Sequence, residues 1–350
     1  MSFPRRRPTL VAALGAALAL VTTSACSGGS SDVVGAPAAT QAPAAGGSGG
    51  TINLYAYAVP KPGFDKLIPA FTATAAGQGV TFQQSYGASG DQSRKVAAGA
   101  AADFVNFSVE PDVTRLVDAG LVDKSWNAGP HKGIPFGSVV TIVVRKGNPK
   151  GIKDWDDLLK PGVNVVTPNP FSSGSAKWNL LAPYSAKSDG GKNAQAGLDY
   201  VSALVKDHVT TQPKSGREAS DTFLQGTGDA LISYENEAIF LERGGDPVEH
   251  VTPPTTFKIE NPAAVVKTST NLATATAFND YLYTTAAQTL LAQAGFRPVD
   301  EAVAKEYASS FPTPTKLWTI DDLGGWKTVD KALFAKDTGT IAVIYDAATK

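Results

Sequence analysis

From about residue 51 to the end of the chain, short apolar runs alternate with segments of helical spacing. Ile52-Asn53-Leu54-Tyr55-Ala56-Tyr57 predicts a strand. Phe64, Leu67, Ile68 and Phe71 then fall on one face of a helix over 64–75. Val80 to Gln84 predicts a second strand, Gln92 to Ala101 an Ala-rich helix, and Asp103 to Phe107 a third strand. Val139 to Val144 is β-branched throughout and apolar apart from Thr141, the pattern of a buried central strand. Val163 to Thr167 and Ala230 to Tyr234 predict two more strands, the first running into a Pro-Asn-Pro turn at 168–170. Phe278 to Ala294 predicts a helix stopped by Gly295 with Pro298 just beyond. Such β/α alternation predicts an α/β fold of largely parallel sheets covered by helices. Some 300 residues is too much for one small sheet, so two α/β lobes are expected, with ligands at the carboxyl ends of the strands.

The first fifty residues break this pattern. Arg5, Arg6 and Arg7 precede an apolar run from Leu10 to Val21. Spanning a bilayer takes roughly twenty apolar residues, more than this run supplies. The basic start, short apolar core and small residues Ser24-Ala25 predict a secretory signal over 1–25. Val21 to Cys26 resembles a bacterial lipobox, with Thr23 where that pattern prefers Leu. It implies that Cys26 is lipidated, anchoring the mature chain to the outer face of the cytoplasmic membrane. Residues 26–50 are almost all Gly, Ala, Ser and Pro and predict a flexible tether reaching roughly 25–30 Å.

Composition narrows the chemistry. Cys26 is the only cysteine, which excludes a disulfide framework and a Cys-rich zinc site. The 350 residues carry 31 basic and 32 acidic side chains, a formal charge of −1, which argues against a nucleic-acid binder. Loss of 1–25 leaves 28 basic against 32 acidic groups, a formal charge of −4. There is no phosphate-binding G-x-x-x-x-G-K-[ST] loop, no G-x-S-x-G elbow and no H-E-x-x-H. His131, His208 and His250 read as surface histidines. Asp154, Asp156, Asp157, Asp321 and Asp322 flank helix starts, where acids suit the dipole. No enzyme activity, cofactor or metal is expected.

Two strand–loop–helix junctions do carry chemistry: Ser85-Tyr86-Gly87-Ala88-Ser89-Gly90-Asp91 and Thr167-Pro168-Asn169-Pro170-Phe171-Ser172-Ser173-Gly174-Ser175. A helix start leaves about four backbone N–H groups unpaired and carries partial positive charge. With glycine for close approach and serine for an extra donor, such a junction binds a small oxyanion without a charged side chain. Alternatively, Ser89 and Ser173 are plain N-caps.

Val144-Arg145-Lys146-Gly147-Asn148-Pro149-Lys150, Asp154-Trp155-Asp156-Asp157-Leu158, Lys160-Pro161-Gly162-Val163 and Val166 to Pro170 extend these signals. So do Ser172-Ser173-Gly174, Lys177-Trp178-Asn179, Gly228 to Ile232, Tyr234 to Ala238, Phe311-Pro312, Thr319-Ile320-Asp321 and Gly324-Gly325-Trp326. Together they resemble the sulfate-binding proteins of bacterial ABC importers, thiosulfate-binding relatives included, over essentially all of 51–350. The resemblance implies the two-lobed periplasmic-binding-protein type II fold, each lobe a mainly parallel sheet flanked by helices, with β-strand hinges. Lobe 1 would be 51–138 plus 263–350, and lobe 2 would be 139–262.

The resemblance also implies a donor set. Ser89 matches the serine of the family's first Gly-Ser-Gly loop, and Ser173 and Gly174 match the Ser-Gly of the second. Ser175 replaces a glycine and keeps its N–H. Tyr234 stands where well-known members have Trp, and a phenol can also donate. In the turn Ala58-Val59-Pro60, Pro60 lacks an N–H, which leaves Val59. Ser215-Gly216-Arg217 is one residue shorter than the family's stretch; Gly216 would donate and Arg217 would support the site from behind. Glu235 would orient the site, and Asp91 would cap its helix.

Such a protein would bind sulfate and deliver it to a permease and an ATPase as a monomer, without nucleic acid. A donor-only pocket favours sulfate over hydrogen phosphate, whose proton would lack an acceptor; were Asp91 to face the anion, phosphate binding would become credible. Thiosulfate, molybdate and tungstate are the alternative ligands. A lipoprotein enzyme acting on sulfate or phosphate esters, or an adhesion lipoprotein, are the readings outside this class.

Overall fold

The computed structural model describes residues 49–348; the signal, Cys26 and most of the tether lie outside the described residues. The chain opens with β1 (Gly50–Tyr57), α1 (Lys61–Thr72), β2 (Val80–Gly87), α2 (Ser89–Ala97), β3 (Phe104–Asn106) and α3 (Glu110–Asp118). It continues through β4 (Phe136–Arg145), β5 (Val165–Val166), α4 (Gly174–Ser188), α5 (Ala194–Ala203), β6 (Val209–Thr211), α6 (Gly216–Leu224), β7 (Ala230–Tyr234) and α7 (Glu235–Gly244). β8 (Val248–Val251), β9 (Thr255–Asn261), β10 (Ala263–Val265), α8 (Leu272–Tyr281), α9 (Thr285–Gln293) and β11 (Arg297–Pro298) follow. The last elements are α10 (Glu301–Glu306), β12 (Lys316–Trp318), α11 (Trp326–Val329) and α12 (Thr340–Ala348).

Two sheets flanked by helices result, as the α/β alternation predicts. The smaller has strand order β10-β3-β1-β2, with β1, β2 and β3 parallel and β10 antiparallel to β3. The larger runs β12-β9-β4-β7-β5-β6, with β8 and β11 also on β4. It is mixed rather than mainly parallel, because β4 is antiparallel to β7, β8, β9 and β11. β4 is buried along nearly its whole length, as its β-branched, mostly apolar run requires. Its first residues pair with β9 and its later ones with β7 and β8, so one strand ties two groups together.

Three local readings shift. α1 starts at Lys61, three residues before the first apolar anchor, because Pro62 fits a first helical turn. α2 likewise starts early, at Ser89. The single helix expected over 278–294 is two. Thr284 donates to Tyr281 O and caps α9 by accepting from Ala287 N, which breaks the run. Gly295 does follow α9 with φ +93°.

The C-terminal segment also differs from the boundary expected for 263–350. β12 pairs parallel with β9, and Trp326, Val329, Leu333 and Ile341 are buried in one core with Trp155, Trp178 and Ile142 of the larger sheet. Residues 316–348 therefore pack with 139–262.

Candidate functional site

Six strands run at their carboxyl ends into helices: β1 into α1, β2 into α2, β3 into α3, β5 into α4, β6 into α6 and β7 into α7. Each start presents unpaired N–H groups and the positive end of a helix dipole. The six starts meet. Gly90 N donates to Ser172 O at 3.2 Å, joining the start of α2 to the loop before α4. A Cβ on Gly174 would lie 2.8 Å from Ser108 Cβ and 3.1 Å from Val109 Cγ2, so the first turn of α4 abuts the chain entering α3. A Cβ on Gly216 would sit 3.1 Å from both Ser175 Oγ and Val59 Cγ2, which brings α6, α4 and the turn before α1 together. Glycine at 174 and 216 permits that approach.

Ser108 is fully buried and stands at the centre. Its N–H donates to Ser89 Oγ at 2.9 Å, and its carbonyl accepts from Trp178 Nε1 at 2.7 Å and Asn261 Nδ2 at 3.2 Å. Its hydroxyl lies 2.7 Å from the Tyr234 hydroxyl. Tyr234 is buried, which pushes its phenol pKa up; hydrogen bonds from the Ser108, Ser175 and Asn261 side chains oppose the rise. The phenol therefore stays protonated, a neutral donor. Nearby, Tyr57 ends β1 with its ring centroid 6.4 Å from that of Tyr234 and its buried hydroxyl without a partner.

The carboxylates around this cluster stand in ion pairs, although the buried oxygens of Glu237 lack a well-aligned hydrogen bond. Asp112 takes the Ser89 hydroxyl on Oδ2 at 2.6 Å and Arg115 on Oδ1 at 2.8 Å. Glu235 holds Arg297 through two hydrogen bonds of 2.7 and 2.8 Å. Glu237, fully buried at the start of α7, lies 2.9 Å from Arg217. Burial pushes the Glu237 pKa up, with the Arg217 charge and a Ser220 hydrogen bond opposing. Asp91 pairs with Arg94 one turn along α2, on the exposed side.

The residues expected from the sequence are thus brought together: Val59, Ser89, Ser173, Gly174, Ser175, Gly216 and Tyr234 all belong to helix starts that touch. Two hydroxyls behave differently from one another. Ser173 is the N-cap of α4 yet makes no side-chain capping bond. Ser89 is the first residue of α2 rather than its cap, and its single O–H goes to Asp112. In this form its hydroxyl is not aimed at a ligand, and its backbone N–H is the group that α2 offers. Arg217 and Glu235 lie behind the cluster, each in an ion pair. Sequence reasoning missed Ser108, Asp112 and Tyr57. Ser108 stands just beyond the carboxyl end of β3, the place where open α/β sheets build sites, but without a neighbouring glycine to mark it.

The histidines take other partners. His131 stacks on Tyr283, His208 Nδ1 lies 2.9 Å from Val163 O, and His250 Nδ1 lies 2.7 Å from Glu242. A cavity of 660 Å³ lies apart from the donor cluster, against Gly137, Ser138, Lys258, Glu260, Arg297 and Asp321. Its charged groups pair among themselves or with Glu235, as in Lys258–Glu260 and Lys132–Asp321. The converging helix starts, not this cavity, carry the unspent donors.

Residues 52–297 match the family model described as bacterial extracellular solute-binding protein. The sulfate-binding protein of Synechococcus elongatus is 37% identical over 340 residues, covering 94% of each chain. The thiosulfate-binding protein of Pseudomonas aeruginosa is 35% identical over 77% of this chain and 83% of its own. Among solved structures, the sulfate-binding protein SubI from Mycobacterium tuberculosis H37Rv is 68% identical with a TM-score of 0.80, over 81% of this chain and 99% of that one.

Proposed function

This chain belongs to the bacterial extracellular solute-binding protein family, and from that membership we propose that it captures sulfate outside the cytoplasm and hands it to an ABC importer. The observation that carries the reading is the meeting of six helix starts around Ser108 and Tyr234, with every surrounding carboxylate already paired.

Sulfate at neutral pH has no proton and needs only donors. The backbone N–H groups of Val59, Ser89, Gly174, Ser175 and Gly216, with the hydroxyls of Ser173 and Tyr234, form such a set. Helix-start dipoles add positive potential without a full charge. Hydrogen phosphate brings a P–O–H that needs an acceptor, and an unmet buried polar group costs roughly 1–3 kcal/mol. Asp112 is no such acceptor, since Arg115 and Ser89 occupy it.

In this reading the two sheets belong to two lobes that close over the anion, with β4 and β9 as the flexing connections. Release would occur as the lobes part at a permease driven by a separate ATPase. The chain acts by binding, with no catalytic step, as a monomer held to the membrane through Cys26. Thiosulfate is the second reading, supported by the Pseudomonas aeruginosa relative. Calorimetric titration of the mature chain with sulfate, thiosulfate and phosphate tests both. Sulfate is expected to bind tightest, and phosphate binding more tightly than sulfate would overturn the proposal.

A further inference from the structure

We propose that Ser108 is a positioning and specificity-determining residue: its hydroxyl donates to the Tyr234 oxygen, so that the phenol can face the ligand only as a donor. The inference rests on the sulfate reading and deepens it.

The backbone of Ser108 is fixed on both sides. Its N–H is bonded to Ser89 Oγ and its carbonyl to Trp178 and Asn261. The backbone that carries the hydroxyl, which lies 2.7 Å from the phenol oxygen, is therefore fixed by groups from α2, α4 and β9. Either oxygen can supply the proton of that bond. A ligand anion decides which. Hydroxyl dipoles in a chain align toward the charge and polarise one another, so the proton runs from Ser108 to Tyr234, and the Tyr234 proton points outward to the anion. Burial keeps the phenol protonated, so the chain has a proton to offer throughout the neutral range.

The arrangement also acts against competitors. A phenol can accept as well as donate. With its oxygen already accepting from Ser108, it offers little to the proton of hydrogen phosphate. Without Ser108 the phenol oxygen loses one of its bonds, those with Ser175 and Asn261 remaining, and is the more open to accept that proton. Ser108 thus sets both the strength of the Tyr234 donor and its one-way character.

The test is a double-mutant cycle on the full mature chain, with sulfate and inorganic phosphate as the probes. Ser108→Ala is expected to weaken sulfate binding about tenfold and to narrow the sulfate-to-phosphate ratio by a similar factor. In the Tyr234→Phe background, where no phenol remains to be oriented, the same change should have no further effect on sulfate. Thermal melts of all three variants show whether each is folded. The ratio and the coupling are readings that a general loosening of the cluster does not produce. Equal weakening in both backgrounds, or an unchanged ratio, would overturn the role of Ser108 while leaving the sulfate reading standing. Absence of sulfate binding by the unmutated chain would overturn that reading itself.

Discussion

At the start of α2 the Ser89 hydroxyl turns inward, onto Asp112, and its oxygen receives the Ser108 N–H. At the start of α4 Ser173 makes no capping bond, and the next residue, Gly174, lies against Ser108. The two junctions share strand, serine, glycine and helix, and both offer backbone donors. They divide the remaining work. The first spends its hydroxyl on holding the cluster together; the second leaves its hydroxyl without a capping bond and sets its glycine against Ser108. Under the proposed reading, a neighbouring carboxylate decides whether the serine of such a Ser-Gly start supports the site or lines it.

That division can be broken most sharply at Gly174. Gly174→Val places its Cβ where Ser108 and Val109 already are, and overpacking of this kind costs roughly 1–3 kcal/mol. Sulfate affinity measured by calorimetry should fall about a hundredfold, with far-UV circular dichroism retained. Next in size is Ser89→Ala. It leaves Asp112 Oδ2 and the Ser108 N–H without partners, so the loss should appear as stability, about 2 kcal/mol in a denaturant titration. Ser173→Ala should do the reverse. Sulfate binding weakens by about tenfold while the melting temperature holds, because no cap is lost. If Ser89→Ala and Ser173→Ala shift stability and affinity in the same proportions, the division is wrong.

The smallest expected effect is on pH. Every proposed donor is an amide or a hydroxyl, and burial moves the Tyr234 phenol upward, away from neutrality. Glu237, also raised by burial, ionises later in the folded chain than in the unfolded one. Its contribution to stability is therefore largest in acid and declines as pH rises through the unfolded and then the folded value. Sulfate affinity itself should be flat between about pH 6 and about pH 9. A steep change there would point to a titrating group in direct contact with the anion.

Much of this architecture was legible in the chain. β4 announced itself through an unbroken β-branched run, and β1, β2, β3 and β7 fell close to their expected positions. The helix-start donors were legible through Ser and Gly at strand ends. What escaped was set by distant partners. The direction of β4 relative to β7 and β9 depends on which edges meet, not on its own residues. The placement of Trp326 and Ile341 is set by core partners far away in the chain, Trp155 and Trp178 among them. The Ser89 hydroxyl was misdirected because Asp112, twenty-three positions along the chain, claims its proton. Ser108 was invisible because its importance lies in four contacts, three through its backbone and one from its hydroxyl to Tyr234, rather than in any local motif.

Trp178 adds a consequence of another kind. Its indole is fully buried, lies 4.7 Å from the ring of Trp326, and donates to the carbonyl of Ser108. Any motion that draws the end of β3 away from α4 strips that indole of its acceptor and lets water reach it. The emission of Trp178 then shifts to the red. If the lobes close as proposed, Trp178 is an optical gauge of that closure, readable in a stopped-flow cell without an attached dye, and set in the same residue that the donor cluster uses as its anchor.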